Sequence, residues 1–255
     1  MGIPISLRFV HVWYRNLLVW RKLAIPSVLG NLADPLLYMV GLGYGLGGML
    51  PQIQGSTYIA FLAGGVVCSS AMMTASFEAM YSAFSRMHVQ RTWDAIINAP
   101  LTLDDVVLGE LAWAASKSLL SATAVLVVAT MLGLVASPLA LWVLPVAFLA
   151  GLVFAGMGLI MTALSPSYDF FMYYFTLAVT PMMLLCGVFF PLEQLPSTVQ
   201  VVAQVLPLTH AVELTRPLMS GAVPAQAWLH LLVLAAYAGV SCTLAFILLR
   251  RRILS

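Results

Sequence analysis

Residues 139–164 read LALWVLPVAFLAGLVFAGMGLIMTAL and contain no charged side chain. The hydrocarbon core of a bilayer is about 30 Å thick, and a helix of about 20 apolar residues crosses it. The stretch therefore predicts a membrane-spanning helix, and the fold depends on how many similar stretches accompany it.

The composition of the whole chain agrees with this prediction. Of its 255 residues, 62% are hydrophobic and only 8% are charged, whereas an ordinary soluble domain carries about 25% charged residues. So few charges cannot cover the surface of a water-soluble protein, which excludes a soluble enzyme, a disordered region and a secreted disulfide scaffold. The net charge of +2 is too small and too scattered for a nucleic-acid-binding protein.

Apolar runs of spanning length occur along most of the chain. They lie near residues 25–49, 57–82, 106–134, 139–164, 170–190 and 227–249. We therefore predict an all-α, polytopic membrane protein with six transmembrane helices in a single domain over residues 1–255.

The basic residues predict the orientation of these helices. If the N-terminus is cytoplasmic, six spans return the C-terminus to the cytoplasm and place nine of the eleven basic residues on that side. They are Arg8, Arg15, Arg21, Lys22, Arg86, Arg91, Arg250, Arg251 and Arg252. Cytoplasmic loops of membrane proteins carry an excess of lysine and arginine, so both termini are expected in the cytoplasm.

The segment 5–22 mixes aromatic and basic side chains of the kinds found at a lipid headgroup boundary. They are Trp13, Tyr14, Arg15, Trp20, Arg21 and Lys22. The pattern favours an amphipathic helix lying on the inner leaflet. The alternative is an ordinary basic flank of the first span.

A second amphipathic helix is predicted over residues 91–99, between the second and third spans. Trp93, Ile96 and Ile97 have the i, i+3, i+4 spacing of one apolar face, with Arg91 and Asp94 toward the other side. Such a helix either docks into a groove of a partner or rests on the bilayer or on loops of its own chain. The spacing favours neither. Downstream, Thr102 and Asp105 form a capping pattern that opens the third span.

The glycine-rich stretch 41–48 contains G-x-G-x-x-G, but without the strand and acidic residue of a dinucleotide site. It also contains two overlapping G-x-x-x-G pairs, Gly41 with Gly45 and Gly43 with Gly47. Small residues at this spacing let helices pack closely in lipid, which is the favoured interpretation. No P-loop motif occurs in the sequence, so no ATP binding through a P-loop is expected.

Asp34, Glu78 and Lys117 are ionisable residues within or near the spans. A lone charge at the bilayer centre costs at least about 2.5–3.5 kcal/mol, so such residues usually face the bundle interior and find partners. We expect Lys117 to pair with either Asp34 or Glu78.

The segment 188–218 is apolar but is broken by prolines, including Pro191, Pro196 and Pro207, and no piece is long enough to span. Two short helices, forming a re-entrant or surface-lying hairpin, fit best. His210, Glu213 and Arg216 recur every three residues and can share one helical face. A solvated face or local ion pair is favoured over a metal or catalytic role, and we expect no catalytic residue and no metal site.

Several segments together carry a resemblance to a known family. They are Asp34-Pro35-Leu36-Leu37-Tyr38 with the glycine run 41–48, residues 91–100 and 103–110, Gly187-Val188-Phe189-Phe190-Pro191 with Leu195-Pro196, and Leu206-Pro207-Leu208-Thr209-His210. Through them the chain resembles the membrane permeases of ABC exporters of the second type, and among these it looks like the nodulation protein J family.

The resemblance implies an assembly and a function. The permease would be a homodimer bound to two copies of a separate cytoplasmic ABC ATPase of the nodulation protein I (NodI) type. ATP and Mg would bind to that partner, with no cofactor on this chain. The cargo would be amphiphilic, notably a lipo-oligosaccharide, moved outward across the bacterial inner membrane.

The resemblance also implies roles for individual segments. The helix 5–22 would be an interfacial connecting helix, and 188–218 an outer hairpin that narrows the exit. The helix 91–99 would be the coupling helix, with Arg91, Trp93, Asp94, Ile96 and Ile97 seated in the ATPase. Gly41, Gly43, Gly45 and Gly47 would pack at the dimer interface.

Three alternatives to this function differ in their signatures. A permease for drugs or other hydrophobic small molecules would look similar. An intramembrane enzyme needs clustered catalytic groups, yet His11, His88, His210 and His230 are scattered along the sequence. An ATP-independent channel or carrier should show internal repeats, and none is convincing.

Overall fold

The computed structural model of the chain describes residues 7–50, 52, 53 and 55–254. Ile5 and Ser6, the first two residues of the predicted interfacial helix, lie outside the described residues. Over the described ranges the fold is helical and contains no β-strand, apart from an isolated bridge between Ile53 and Ser56. The predicted all-α class is therefore confirmed.

The helical segments, counted with the π and 3-10 turns inside them, are α1 (Phe9–Arg21), α2 (Ala24–Gly47), α3 (Tyr58–Val89), α4 (Thr92–Ile97), α5 (Leu103–Met131), α6 (Pro138–Leu164), α7 (Phe170–Leu185), α8 (Ser197–Val205), α9 (Pro207–Ser220) and α10 (Ala227–Leu254). A 3-10 turn, Leu192–Gln194, precedes α8.

Five of the described helices are long and apolar enough to cross a membrane, namely α2, α3, α5, α6 and α10. The sixth predicted span, 170–190, corresponds to α7. At about 1.5 Å rise per residue, α7 is roughly 24 Å long, which is shorter than a bilayer core. The structure thus supports five spans by length and composition, and the sixth stays a prediction.

Helix α3 forms the centre of the bundle. In its most apolar window 83% of the residues are buried, against 11% in α2. It packs against α5, α6 and α9, and α6 packs in turn against α10. Close approach depends on glycine: a Cβ on Gly65 would lie 2.5 Å from the carbonyl oxygen of Val188. Packing through small residues is typical of helices in lipid.

The start of α5 is fixed by its predicted capping box. The backbone N–H of Asp105 donates to Thr102 Oγ1 over 3.3 Å, and the backbone N–H of Thr102 donates to Asp105 Oδ2 over 2.9 Å. Two backbone donors that the helix leaves without partners are thereby satisfied. The capping prediction is confirmed.

Several basic residues lie together at one end of the bundle, which we call the basic end. Arg250 of α10 forms an ion pair with Asp104 at the start of α5. Arg252 Nη1 donates to the carbonyls of Thr162 (2.7 Å) and Ala163 (2.9 Å), near the end of α6. These bonds satisfy carbonyls at a helix C-terminus. The helices α8 and α9 lie at the opposite end, which we call the hairpin end.

Candidate functional site

A polar cleft runs between α1, α2, α3, α5 and α7. It consists of two adjoining cavities of about 390 and 510 Å³. The first, the membrane cavity, is lined by α2, α3, Lys117 of α5 and Met183 of α7. The second, the interfacial cavity, lies nearer the basic end and includes residues of α1. Residues that line both cavities are Glu78, Tyr81, Ser82 and Lys117.

A buried ion pair lies where the two cavities meet. Lys117 Nζ is 2.8 Å from Glu78 Oε2. Glu78 is only 4% exposed and also accepts hydrogen bonds from Arg86 Nη2 and Trp113 Nε1, both at 2.9 Å. Of the two partners expected for Lys117, the structure therefore has Glu78 and not Asp34.

Arg86 joins this pair to a second carboxylate. Its Nε donates to Glu110 Oε1 over 2.8 Å, and its Nη2 forms a further short ion pair with Glu110 Oε2. Glu110 Oε1 also accepts from Trp93 Nε1 over 3.2 Å. Two cations and two carboxylates thus balance within one hydrogen-bonded network, as buried charges require. The network connects α4 with the cleft.

The resemblance implied that Trp93 is seated in the ATPase partner, and the structure corrects this role. Its side chain is 1% exposed and packs against its own chain, with Ile96 and Ile97 partly buried beside it. The apolar face of α4 therefore rests on this protein, the second of the two interpretations that the spacing left open. The side chains that α4 and its flanks expose are Arg91, Asp94, Ala95 and Asn98.

The lining of the membrane cavity combines apolar surface with many polar side chains. Asp34 is exposed, lies about 15 Å along α2, and makes no hydrogen bond or ion pair within the described part of the chain. Further polar residues lining this cavity are Asn31, Tyr38, Ser69, Ser70, Thr74 and Ser82. Polar groups at membrane depth are tolerated where they face a wet cavity, and Asp34 lies in the lining of this cavity.

The helices that carry π turns all line the membrane cavity. The turns are Tyr38–Leu42 in α2, Glu78–Ser82 and Ser85–Val89 in α3, and Phe175–Val179 in α7. Isolated π turns are rare and occur often at functional sites. Three of the four turns contribute lining residues to the cleft, which supports the cleft as the functional site.

The four glycines predicted at the dimer interface do not share one environment. Gly43 is buried, and a Cβ there would lie 2.7 Å from Ile59 Cγ1 of α3. Gly43 thus packs within its own chain, which corrects its predicted role. A Cβ on Gly41, Gly45 or Gly47 would meet nothing within 4 Å. For these three glycines, packing at a dimer interface stays a prediction.

The segment predicted as an outer hairpin contains the two short helices α8 and α9. Pro191 and Pro196 directly precede the 3-10 turn and α8, and Pro207 is the first residue of α9. Proline is common at helix starts because its missing N–H needs no partner there. The re-entrant position of these helices in a membrane stays a prediction.

The polar residues of α9 have separate partners. His210 Nδ1 lies 2.8 Å from His230 Nδ1, and His210 Nε2 lies 2.9 Å from the carbonyl oxygen of Gln204. Arg216 Nη2 donates to the carbonyl of Gly187 over 2.6 Å, and burial lowers the pKa of Arg216 to about 10.

The favoured interpretation was a solvated face or a local ion pair. Instead His210 is buried, and both His210 and Arg216 hydrogen-bond within their own chain. No ion pair among the described residues includes either of them. Within the described ranges, no group of three or more His, Cys, Asp or Glu side chains is placed to hold a metal ion.

Comparison with known proteins gives consistent matches. Residues 8–219 match the family described as "ABC-2 type transporter". The chain is 48% identical to "Nodulation protein J" of Rhizobium meliloti (strain 1021) over 246 residues, which cover 96% of this chain and 94% of that protein. It is also 48% identical to "Nodulation protein J" of Rhizobium leguminosarum bv. viciae over 249 residues, covering 98% and 96% of the two chains.

Proposed function

This chain belongs to the ABC-2 type transporter family, and from that premise we propose that it is the permease subunit of an ATP-driven exporter of an amphiphilic, lipo-oligosaccharide-like cargo. It is a multi-pass membrane protein with a transport role. The proposal adds the energy source, the cargo class and the outward direction.

The observation that carries the cargo class is the polar cleft inside an apolar bundle. Hydroxyl, amide and carboxylate groups such as Ser69, Asn31 and Asp34 line the membrane cavity and suit the hydrogen bonds of a carbohydrate headgroup. The aromatic rings of Tyr38, Phe77 and Tyr81 line the same space. An amphiphile places its headgroup in such a cleft while its acyl chain stays in lipid.

The energy source is a separate subunit. The family implies an ABC ATPase partner, and the sequence contains no P-loop motif of its own. We propose two NodI-like ATPase subunits, which hold the ATP and Mg. The exposed residues Arg91, Asp94 and Ala95 then form the contact surface, and Trp93 anchors α4 to α5.

Movement of α4 reaches the cleft through the buried charge network. When the ATPase subunits close, they displace α4. Trp93 passes this displacement to Glu110, and Arg86 connects Glu110 with Glu78 at the cleft. Packed elements with two discrete arrangements transmit such shifts.

A second copy of this chain completes the transporter. Helix α2 leaves most of its apolar surface uncovered, with 11% of its window buried. Gly41, Gly45 and Gly47 on this helix face open space, where a second helix can approach closely. We propose a homodimer in the bacterial inner membrane, with the basic end and both termini in the cytoplasm, as the distribution of basic residues favours.

A drug or hydrophobic small molecule is the second candidate cargo. Aromatic rings adjoin the membrane cavity: the centroid of Phe77 is 4.8 Å from that of Phe175 and 5.0 Å from that of Tyr81. Such rings also suit an apolar cargo. Transport assays that compare lipo-oligosaccharide with hydrophobic dyes separate the two candidates.

The decisive experiment substitutes the exposed face of α4 in the reconstituted complex of permease and ATPase. Ala95→Trp should abolish export and cargo-stimulated ATP hydrolysis, because the bulky side chain blocks the ATPase contact. Ala225→Trp, at an exposed alanine of the hairpin end, is the matched control and should leave both unchanged. Export that continues without ATP or without the ATPase subunit would overturn the proposal.

A further inference from the structure

The interfacial cavity contains a cation that the charge network does not neutralise. Arg86 and Lys117 line this cavity but are paired with Glu78 and Glu110. Arg15 of α1 also lines the cavity, and none of the ion pairs among the described residues includes it. One positive charge therefore remains without a carboxylate partner.

The hydrogen bonds of Arg15 leave part of its guanidinium unused. Nη1 donates to Asn16 Oδ1 over 3.0 Å, and Nη2 donates to Thr92 Oγ1 over 3.5 Å. A guanidinium carries further N–H donors in a planar fork that matches phosphate and carboxylate oxygens. Burial and the nearby Arg86 lower the pKa of Arg15, and Glu110 opposes them only in part.

A second, independent donor lies next to Arg15. Asn16 lines the same cavity and is 3% exposed, and its Nδ2 has no hydrogen-bond acceptor within the described ranges. The orientation of its amide is set, because Oδ1 accepts from Arg15. A buried donor without an acceptor is costly in a folded protein, and a bound anion supplies the missing acceptor.

The rest of the lining adds apolar surface beside this donor set. Val19, Trp20 and Leu23 contribute apolar surface to the same cavity. The indole N–H of Trp20 already donates to Ser27 Oγ over 2.9 Å. Aromatic residues of this kind are typical of the boundary between headgroups and acyl chains. The cavity thus combines cationic and amide donors with an apolar wall.

We propose that the interfacial cavity binds the phosphate- or carboxylate-bearing headgroup of an anionic amphiphile through the Arg15 guanidinium and Asn16 Nδ2. The inference deepens the proposed function, since this cavity is the part of the cleft nearest the basic end. The amphiphile comes either from the membrane, as a phospholipid, or from the cargo, if the cargo carries an acidic group. Binding requires neither ATP nor transport.

The test measures lipid retention by the full-length chain, assembled with its ATPase subunit in nanodiscs without ATP. The nanodiscs contain phosphatidylcholine alone or mixed with phosphatidylglycerol, and native mass spectrometry counts the lipids that stay bound. Arg15→Gln should lower the retention of phosphatidylglycerol about tenfold, as expected for loss of a charged hydrogen bond. Arg21→Gln, at an exposed arginine of the same helix, is the matched control and should change little.

A second variant distinguishes loss of the anion site from misfolding of the protein. Asn16→Asp places a carboxylate beside Arg15, so the cation is neutralised inside the protein. This variant should lose phosphatidylglycerol retention while its melting temperature is maintained or raised. Arg15→Lys keeps the charge but not the planar fork, and should retain an intermediate amount.

Comparing protein from cells that do and do not make lipo-oligosaccharide identifies the source of the anion. Arg15-dependent retention of phosphatidylglycerol, in protein from cells that make no lipo-oligosaccharide, identifies a membrane phospholipid. An Arg15-dependent anionic ligand found only in protein from cargo-producing cells identifies the cargo.

Equal loss in Arg15→Gln and Arg21→Gln overturns the inference. Equal retention of both lipids by the unmodified protein also overturns it when cargo-producing cells yield no anionic ligand that depends on Arg15. Failure of export with anion retention intact overturns only the proposed function.

Discussion

Trp93 of α4 donates its indole N–H to Glu110 Oε1 of α5 over 3.2 Å. A six-residue helix is too short to be stable by itself, so this bond and the burial of the indole fix α4 on the bundle. Glu110 is shared with Arg86, and therefore a shift of α4 reaches the charges that line the cleft.

Removing this bond should uncouple ATP hydrolysis from export. Trp93→Phe keeps most of the buried volume and costs about 1 kcal/mol of stability, but it releases α4 from Glu110. We expect fewer cargo molecules exported for each ATP hydrolysed by the reconstituted complex. Trp93→Ala leaves a cavity and should lower stability by about 3–5 kcal/mol. If Trp93→Phe exported as many cargo molecules for each ATP as the unmodified protein, this contact would not couple α4 to the cleft.

Reversing the charge of Lys117 should destabilise the protein, because Glu78 would face a like charge in a buried site. Breaking a buried pair costs about 3–5 kcal/mol, which lowers the melting temperature of the purified protein. Adding Glu78→Lys to Lys117→Glu should restore only part of the loss, because the new lysine faces Arg86. Lys22→Glu, at an exposed site on the basic flank, is the control. If the double variant regained the full melting temperature, Arg86 would not contribute to the stability of this site.

Glycine substitutions should separate packed from open helix faces. In Gly65→Ala, the new Cβ would lie 2.5 Å from the Val188 carbonyl oxygen, and overpacking of this kind costs about 1–3 kcal/mol. Gly239→Ala meets nothing within 4 Å and should stabilise α10 by up to about 1 kcal/mol. Thermal unfolding in detergent measures both. If Gly65→Ala and Gly239→Ala changed the melting temperature equally, α3 and Val188 would not be in contact.

Acidification should loosen the hairpin end through His210. Burial is the main cause that lowers the pKa of His210; His230 adds to it, and the Gln204 carbonyl and Glu213 oppose it. The unfolded chain therefore binds the proton more tightly than the folded one. The contribution of His210 to stability is complete above its ordinary pKa of about 6.5 and is lost as the pH falls from there toward the lower folded value.

The measurement is the melting temperature of the complex across this pH range. His210→Gln should weaken its dependence on pH, because the variant loses one of the two paired histidines and keeps His230. His11→Gln, at an exposed histidine of α1, should leave the dependence as in the unmodified protein. A His210→Gln variant with the original pH dependence would contradict the assignment.

The sequence alone determined the features that have a local signature. Long apolar runs predicted the spanning helices, because a bilayer core requires mainly a sufficient length of apolar sequence. The prolines at Pro191, Pro196 and Pro207 indicated where short elements begin, and Thr102 with Asp105 indicated the start of α5. These effects act over one helical turn, so neighbouring residues suffice to specify them.

Only the tertiary structure decided which surfaces and charges meet. An apolar face such as that of Trp93 looks the same whether it covers its own chain or a partner, since burial depends on residues distant in sequence. The partner of Lys117 and the packing of Gly43 depend on helical phase, which uniformly apolar spans do not encode in a polar and an apolar side. The juxtaposition of Arg15 with Thr92 and the interfacial cavity arises only when α1 folds back against α5.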